Sequence, residues 1–215
     1  MYNPPHFKED RVPMLQAAMR QAGLATLVTF GAEGLEASHI PMLLDAEPAP
    51  YGALQGHISV ANAQWRQGDN AVPALAIFLG PDAYISPAWY ETKQQTGKVV
   101  PTWNYVTIHA YGQARFFRDA DRLLDQVTKL TAGREAKRPD PWAVSDAPDE
   151  YIDGLLKGIV GFELRIERLE GKWKMGQNRP AGDQAGAIAG LHREAGAAGS
   201  AVARIMAGDR APWQE

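Results

Sequence analysis

The residues best suited to hold a flat polar ligand lie in one short run of the chain. Trp103, Asn104 and Tyr105 are consecutive, and they lead into a β-patterned stretch from Val106 to Gly112. Trp and Tyr each combine a broad apolar face with one hydrogen-bonding group, and Asn supplies both a donor and an acceptor. Such a triplet at the mouth of a strand fits a ring with polar edges. The alternative stays open that the aromatics fill a core and the Asn makes a turn, because aromatic strand residues usually pack inside.

A second candidate site lies in the run from Gly56 to Trp65. We expect a strand to end at His57 and a helix to begin near Ser59, which places backbone N–H groups and Asn62 beside the imidazole. The N-terminus of a helix favours anions through its free N–H groups and its dipole. Simple N-capping by Ser59 would explain the same residues, so both interpretations stay open.

A third candidate is the polar segment from Lys172 to Arg179, predicted to be a loop. It collects two lysines, one arginine and two amides. These groups could close over an anionic ligand as a lid. A solvated turn is the alternative.

Other chemistries are poorly supported. His39, His57 and His109 fall on predicted strands, but no two are closely spaced and no acidic residue flanks them, so core or anion contacts are favoured over a metal site. The chain has no Gly-x-Ser-x-Gly motif and no nucleotide-binding glycine motif. No pair of short helices with a basic second helix suggests a helix-turn-helix.

Composition limits the remaining classes. The chain has 215 residues, 45% of them hydrophobic, which suffices for a substantial core. It has no cysteine, so disulfides and thiolate metal sites are excluded. A net charge of −3 provides no overall attraction for nucleic acid. No apolar run is long enough to cross a bilayer, and the N-terminus lacks the apolar segment of a signal peptide, so we expect a cytoplasmic protein.

The elements that must position these residues are predicted from periodicity and turn residues. Strands are expected at 24–30, 35–44, 51–58, 72–79, 83–86, 103–117 and 159–169, with a turn at 80–82. Helices are expected at 10–21, 59–67, 119–132, 150–156 and, weakly, within 181–208. Residues 91–99, 133–149 and 171–180 are predicted to be loops. Strands joined by hairpins, with peripheral helices, indicate a mainly β, α+β protein built on an antiparallel barrel.

These segments together resemble the PaiB family of FMN-binding negative transcriptional regulators, within the flavin-binding split-barrel superfamily. The resemblance covers nearly the whole chain, and its motifs occur in the family's order. The matching residues are Met1, Tyr2, Pro4, Phe7 and Lys8; Ser38–Pro41; Gly56, His57, Asn62, Gln64 and Trp65; Gly80, Pro81, Ala83–Pro87, Trp89 and Tyr90; Val100–Tyr105, His109 and Gly112; Lys157–Phe162; and Gln177–Arg179.

The resemblance implies a dimeric antiparallel split β-barrel of the FMN-binding type, at residues 1–180, followed by a helical appendage at 181–215. FMN would bind between subunits. Implied phosphate or ribityl contacts come from the segments holding Ser38, His39, His57, Asn62, Gln64 and Trp65. Implied contacts to the isoalloxazine and the pocket entrance are Trp103, Asn104, Tyr105, Gln177, Asn178 and Arg179. Weak binding is expected, because His39 and Asn62 stand where related oxidases carry the cations that hold the phosphate.

Three functions are compatible with this resemblance. The first is a negative regulator of transcription that binds FMN and has no strong direct contact with DNA. The second is a flavin-dependent oxidoreductase, or a haem-handling relative. The third is an interaction domain without a ligand.

Overall fold

The structure is a computed structural model that describes residues 1–67 and 72–209. The chain divides into two compact units, each built from separate stretches of sequence. Unit 1 contains residues 1–22, 78–109 and those from 170 onward, whereas unit 2 contains residues 23–77 and 110–169. Among the described residues, no helix is both long and apolar enough to span a membrane.

The described elements are mainly antiparallel strands, with helices between them. The strands are β1 Lys8–Glu9, β2 Leu24–Gly31, β3 Gly34–Pro41, β4 Leu43–Asp45, β5 Ala53–Ser59, β6 Ala74–Ile85, β7 Thr102–Gly112, β8 Ala114–Phe117, β9 Ile159–Arg165 and β10 Arg168–Lys174. The helices are α1 Val12–Ala22, α2 Gln64–Gln67, α3 Glu91–Thr96, α4 Ala120–Glu135, α5 Asp149–Leu156, α6 Ala181–Glu194 and α7 Gly196–Met206. Short 3-10 turns occur at Pro5–Phe7, Pro87–Trp89 and Val144–Asp146. The α+β, mainly β class predicted from the sequence is confirmed.

Unit 2 contains an antiparallel hairpin and an open four-stranded sheet. β2 and β3 pair along their whole length, from Leu24 opposite Pro41 to Gly31 opposite Gly34, and the first residues of β6 pair with β2. The second sheet has the order β4-β5-β9-β8. Helix α4 is joined to this sheet by Gln126, whose Nε2 donates to the carbonyl of Gly56 at 2.8 Å. The core of unit 2 is aliphatic and aromatic, with Leu27, Leu54, Leu123, Phe162 and Leu164 fully buried.

Unit 1 contains the strand order β1-β10-β7-β6, using the later part of β6 and most of β7. Helices α6 and α7 are rich in glycine and alanine, so they depend on packing for stability. That packing comes from Trp89, because Gly190 lies so close to the indole that an added Cβ would be 2.2 Å from a ring carbon. The missing side chain therefore creates the groove in which the indole lies.

Several element boundaries differ from the prediction. The predicted turn at 80–82 is wrong, because β6 continues through Gly80 and Pro81. A proline is compatible with a strand where its missing N–H is not needed for pairing. The nearly unbroken apolar run at 72–79 also predicts a strand buried on both faces, and this is wrong, since Leu79 is 68% exposed. The returning strand of the hairpin is interrupted at Met42, whose N–H instead donates to the carbonyl of Gly23.

Two helices also begin elsewhere than predicted. Ser59 does not cap a helix, because it extends β5 and pairs with Ile159. Helix α2 begins at Gln64, whose N–H is accepted by the Asn62 side chain. The segment predicted as a loop at 91–99 contains helix α3, which docks through the Thr92 N–H onto the buried carboxylate of Asp183.

The end of the predicted last strand differs most. The sequence predicts one strand at 159–169 followed by a loop, but the structure has two strands, β9 and β10. The backbone N–H groups of Ile166 and Glu167 donate to Gly52 and Tyr111, and these bonds draw the chain away from the pairing of β9. As a result, Lys172 and Lys174 lie on a strand rather than in a loop.

The boundary predicted at residue 180 stays a prediction. Residues 170 and onward group with unit 1, and α6 packs against α3 and the 3-10 turn at Pro87–Trp89. The last part of the predicted appendage, 210–215, lies outside the described residues.

The packing of Trp89 leads to a stability prediction. Gly190→Ala should lower the free energy of unfolding by about 1–3 kcal/mol, because the new methyl group would overlap the indole. Gly133→Ala in helix α4 is the matched control, since a Cβ there meets nothing within 4 Å and should stabilise by about 0.5–1 kcal/mol. Urea unfolding measures both changes, and equal effects of the two variants would contradict this account.

Candidate functional site

The predicted site residues of unit 2 form a polar cluster around α2 and the β2–β3 hairpin. The Asn62 side chain donates from Nδ2 to Ser38 Oγ at 2.8 Å. Because Ser38 Oγ accepts this bond, its own proton is available to another acceptor. Asn62 also caps α2 through the Gln64 N–H. The structure thus joins three of the predicted residues, Ser38, Asn62 and Gln64.

Gln64 has a supporting position within this cluster. Its side chain is fully buried, and Nε2 lies within hydrogen-bonding distance of Leu27 O, Thr29 Oγ1 and Glu36 O. These acceptors belong to both strands of the hairpin, so Gln64 fixes the start of α2 against it. Its predicted ligand contact stays a prediction.

His39 lies on the other face of the hairpin from Ser38, because successive strand residues alternate. The ring is exposed, and its Nδ1 is 3.0 Å from the hydroxyl of Thr26 on the opposing strand. This bond orients the imidazole. Trp65 is also held locally, since its Nε1 donates to the carbonyl of Val60 and the Arg66 guanidinium lies 4.6 Å from the centre of the indole.

His57 lies on β5, opposite Gly161 on β9. Its Nδ1 is buried and has no hydrogen-bond partner within the described part of the chain. Burial lowers the pKa of His57 below its usual 6.5, because the protonated ring is poorly solvated there. His57 is therefore a neutral imidazole at neutral pH, suited to a hydrogen bond rather than to pairing with an anion.

In unit 1 the aromatic triplet is divided between the two faces of β7. Trp103 is 53% exposed, and its ring makes an edge-to-face contact with Tyr84 at 6.1 Å between centres. Tyr105 follows on the same face, two residues along the strand. Trp103 and Tyr105 can therefore present aromatic surface to one flat ligand.

Asn104 has the opposite orientation and is only 2% exposed. Its Nδ2 donates to the Met206 sulfur at 3.3 Å, and its Oδ1 has no partner within residues 1–67 and 72–209. The adjacent cavity, which is also lined by Arg179 and Asp183, has a volume of about 10 Å³. That volume accommodates about one water molecule and no ring. The predicted contact of Asn104 with the isoalloxazine stays a prediction.

The C-terminal candidates Gln177, Asn178 and Arg179 lie in the turn between β10 and α6. Gln177 is bound to its own turn, accepting the Met175 N–H and donating to the carbonyl of Trp173. The Arg179 guanidinium lies 4.9 Å from the centre of the Tyr90 ring. Burial raises the pKa of the Tyr90 phenol, with the Arg179 cation opposing the shift.

Lys172 and Lys174, predicted to belong to a polar loop that could act as a lid, lie instead on β10 beside Tyr105. Lys172 Nζ and Lys174 Nζ lie 5.4 and 5.8 Å from the centre of the Tyr105 ring. Burial lowers the pKa of Lys174, and repulsion by Lys172 and Arg179 adds to the effect. The alternation of polar and apolar residues in Lys172-Trp173-Lys174 is typical of a strand. This pattern could have indicated from the sequence that both lysines lie on one face of a strand.

The chemistry of these residues fits FMN, which combines a flat ring with a phosphate. Unit 1 offers the exposed Trp103 ring and the half-buried Tyr105 ring, the latter beside two ammonium groups. Unit 2 offers a hydroxyl proton and an oriented imidazole. No cluster of three His, Cys, Asp or Glu side chains suited to a metal occurs among the residues that the structure describes. Each unit by itself therefore offers groups that suit one part of FMN, aromatic rings and cations in unit 1 and polar donors in unit 2.

Comparison with known families agrees with this donor set. Residues 1–168 match the family model described as "Putative FMN-binding domain". The chain belongs to this family. FMN, the cofactor predicted from the resemblance, is thereby confirmed at the level of the family.

Individual relatives support the same assignment. The chain is 30% identical over 206 residues to the "Protease synthase and sporulation protein PAI 2" of Bacillus subtilis, with 96% of each chain covered, which confirms the PaiB resemblance. It is 35% identical over 243 residues to an uncharacterized protein of Aspergillus fumigatus, covering 92% of this chain and 93% of that protein.

The fold is shared with solved structures of distant sequence. The "FAD and Heme binding protein from Mycobacterium smegmatis" matches with a TM-score of 0.55 at 13% identity, covering 78% of this chain and 73% of that one. This likeness supports a fold of the split-barrel type for this protein.

The burial of His57 predicts a pH dependence. Because the folded-state pKa lies below 6.5, the unfolded chain takes up the proton first as pH falls. The contribution of His57 to stability is therefore complete above pH 6.5 and is lost as the pH falls toward its folded-state pKa.

The free energy of unfolding of the natural chain should accordingly fall more than that of His57→Gln between neutral pH and about pH 5. Urea unfolding at a series of pH values measures the difference. Parallel pH profiles for the two proteins would show that His57 is not desolvated in the folded state.

Proposed function

We propose that this protein is a cytoplasmic, dimeric, FMN-binding regulator that lowers the transcription of target genes without tight contact to duplex DNA. Trp103 and Tyr105 carry the flavin part of the proposal, because the Trp103 ring is exposed and the half-buried Tyr105 ring on the same face lies beside two ammonium groups. When bound, FMN supplies redox chemistry that side chains alone lack.

The proposed contacts divide by chemistry. Trp103 and Tyr105 would cover the ring, while Ser38, His39 and Asn62 would bind the phosphate or the ribityl chain. Gln64 and Trp65 would hold α2 in position, and His57 would donate or accept one hydrogen bond as a neutral ring. Asn104 would support β7 from its buried face, and Gln177, Asn178 and Arg179 would border the entrance.

The dimer is proposed from exposed apolar surface in unit 1. Leu79, Tyr84, Val100 and Trp103 are all substantially exposed. Tyr84 and Trp103 are in ring contact, and contiguous exposed apolar surface is typical of interfaces. Light scattering on the purified chain tests the dimer, which requires twice the 23.5 kDa chain mass.

The regulatory part of the proposal rests on the relative named for protease synthesis and sporulation. The net charge of −3 argues against electrostatic binding to DNA, because nonspecific affinity comes from neutralising phosphates. Regulation would then act through another protein or through the redox state of the bound flavin.

Flavin binding can be tested by replacing two exposed tryptophans, one in the proposed site and one outside it as a control. Trp103→Leu should weaken FMN affinity by about tenfold, the loss expected when one ring-stacking contact is removed. Trp142→Leu removes an exposed indole from unit 2 and should leave the affinity unchanged. Quenching of flavin fluorescence measures both, and equal affinities in the two variants would remove Trp103 from the site.

A flavin-dependent oxidoreductase, or a haem-handling relative, is the second candidate. The specific observation favouring it is the group of cations around Tyr105, since positive charge near a flavin favours its reduced, anionic form. The FAD and haem binding protein from Mycobacterium smegmatis, which shares the fold, is consistent with this second candidate.

One pair of assays on FMN-loaded protein separates the two candidates. The regulator should show no salt-sensitive gel shift with promoter DNA and no NAD(P)H oxidation above that of free FMN. Oxidation above the free-FMN rate would favour the oxidoreductase. A salt-sensitive shift on one promoter fragment would contradict the proposed indirect regulation.

A further inference from the structure

Two lysine side chains in unit 1 are withdrawn from water against the same aromatic ring. Lys172 and Lys174 are two residues apart on β10, so they lie on one face of the strand. Both ammonium groups are within 6 Å of the centre of the Tyr105 ring, at 5.4 and 5.8 Å. Lys172 is 8% exposed and Lys174 is half-buried. Their charges are therefore held close together and partly desolvated.

The hydrogen-bond partners of these ammonium groups are neutral. Lys172 Nζ donates to the carbonyl of Tyr2 at 3.1 Å. Lys174 Nζ donates to Thr102 Oγ1 at 2.5 Å and to the carbonyl of Trp103 at 2.7 Å. An ammonium group has three N–H donors. Within the described ranges, two donors on Lys172 and one on Lys174 consequently have no hydrogen-bond acceptor, although the Lys172 ammonium also lies 5.6 Å from the centre of the Tyr2 ring.

No carboxylate compensates the two charges. In the part of the chain that the structure describes, neither lysine makes an ion pair. The carboxylate of Glu170, two residues before Lys172 on the same strand, binds the amino group of Met1. Arg179 adds a third cation whose charge acts on Lys174. Like charges held out of water without a counter-ion are costly, and a bound anion would remove that cost.

We propose that Lys172 and Lys174 form a binding site for a phosphate monoester, held against the Tyr105 ring. A phosphate offers several strong acceptors to the three free N–H donors, and each bond is strengthened by both charges. Neither lysine belongs to the residues assigned above to the phosphate of FMN. The site therefore takes either the phosphate of FMN itself or that of a separate phosphorylated small molecule.

Inorganic phosphate is the probe for the site itself. Titrated into ligand-free protein at constant ionic strength, it should bind and raise the melting temperature more than chloride does. Lys172→Met and Lys174→Met should each weaken phosphate binding at least about tenfold, because each removes charge-assisted hydrogen bonds. Lys98→Met, which removes an exposed lysine of unit 1, should bind phosphate as the natural chain does.

Stability supplies a readout that does not need the ligand. Lys172→Met should raise the melting temperature of ligand-free protein, because it removes a buried charge that lacks a counter-ion. If Lys172→Met does not fold, the less buried Lys174→Met carries the binding test. Absence of phosphate binding beyond that of chloride, or unchanged phosphate affinity in both lysine variants, would overturn the proposal.

Titrations with FMN and with riboflavin identify the source of the phosphate. Loss of FMN affinity with riboflavin affinity retained would assign the site to the phosphate of FMN. Unchanged affinity for both flavins, with phosphate binding lost, would assign it to another phosphorylated compound. Loss of riboflavin affinity as well would place the lysines at the flavin ring and overturn the phosphate assignment. The phosphate titration does not depend on flavin binding. The phosphate site can therefore be confirmed or rejected even if the natural chain binds neither flavin, and the two proposals are tested independently.

Discussion

The alternation of side chains along β7 is the constraint on which the candidate site depends. Three consecutive polar aromatic or amide residues cannot face one ligand from a strand, because neighbouring side chains point to opposite faces. Trp103 and Tyr105 therefore form the outward surface, while Asn104 is buried and bonded to Met206. One strand thus serves two purposes, an aromatic surface on one side and an anchor for the last helix on the other.

The same alternation on β10 explains the charge beside that surface. Lys172 and Lys174 point to the Tyr105 side, and Trp173 between them is buried. Their ammonium groups are fixed by backbone carbonyls and a hydroxyl rather than by carboxylates. The positive charge is consequently available to a ligand instead of being neutralised within the protein.

Unit 2 is organised differently, around hydrogen bonds of buried amides. Gln64 and Gln126 each connect a helix to strand carbonyls, through bonds to the hairpin and to Gly56. Such bonds contribute modestly when made, but leaving the buried groups unpaired is expensive. The bonds of Gln64 fix the position of α2, and with it the Asn62–Ser38 pair.

The sequence by itself determined the class, the family and most elements, because the spacing of apolar residues, the turn residues and the family's motifs can be read from the chain directly. Helix α1 ends at Ala22, before the predicted stop at Gly23, and Asp119 caps α4 as predicted. Only the tertiary structure decided where β9 ends, since the Ile166 and Glu167 N–H groups bond to residues far away in sequence. It likewise decided that Asn104 is buried and that Lys172 and Lys174 flank Tyr105. Which face of a strand is covered, and which charges lack a counter-ion, depend on neighbours that no local pattern records.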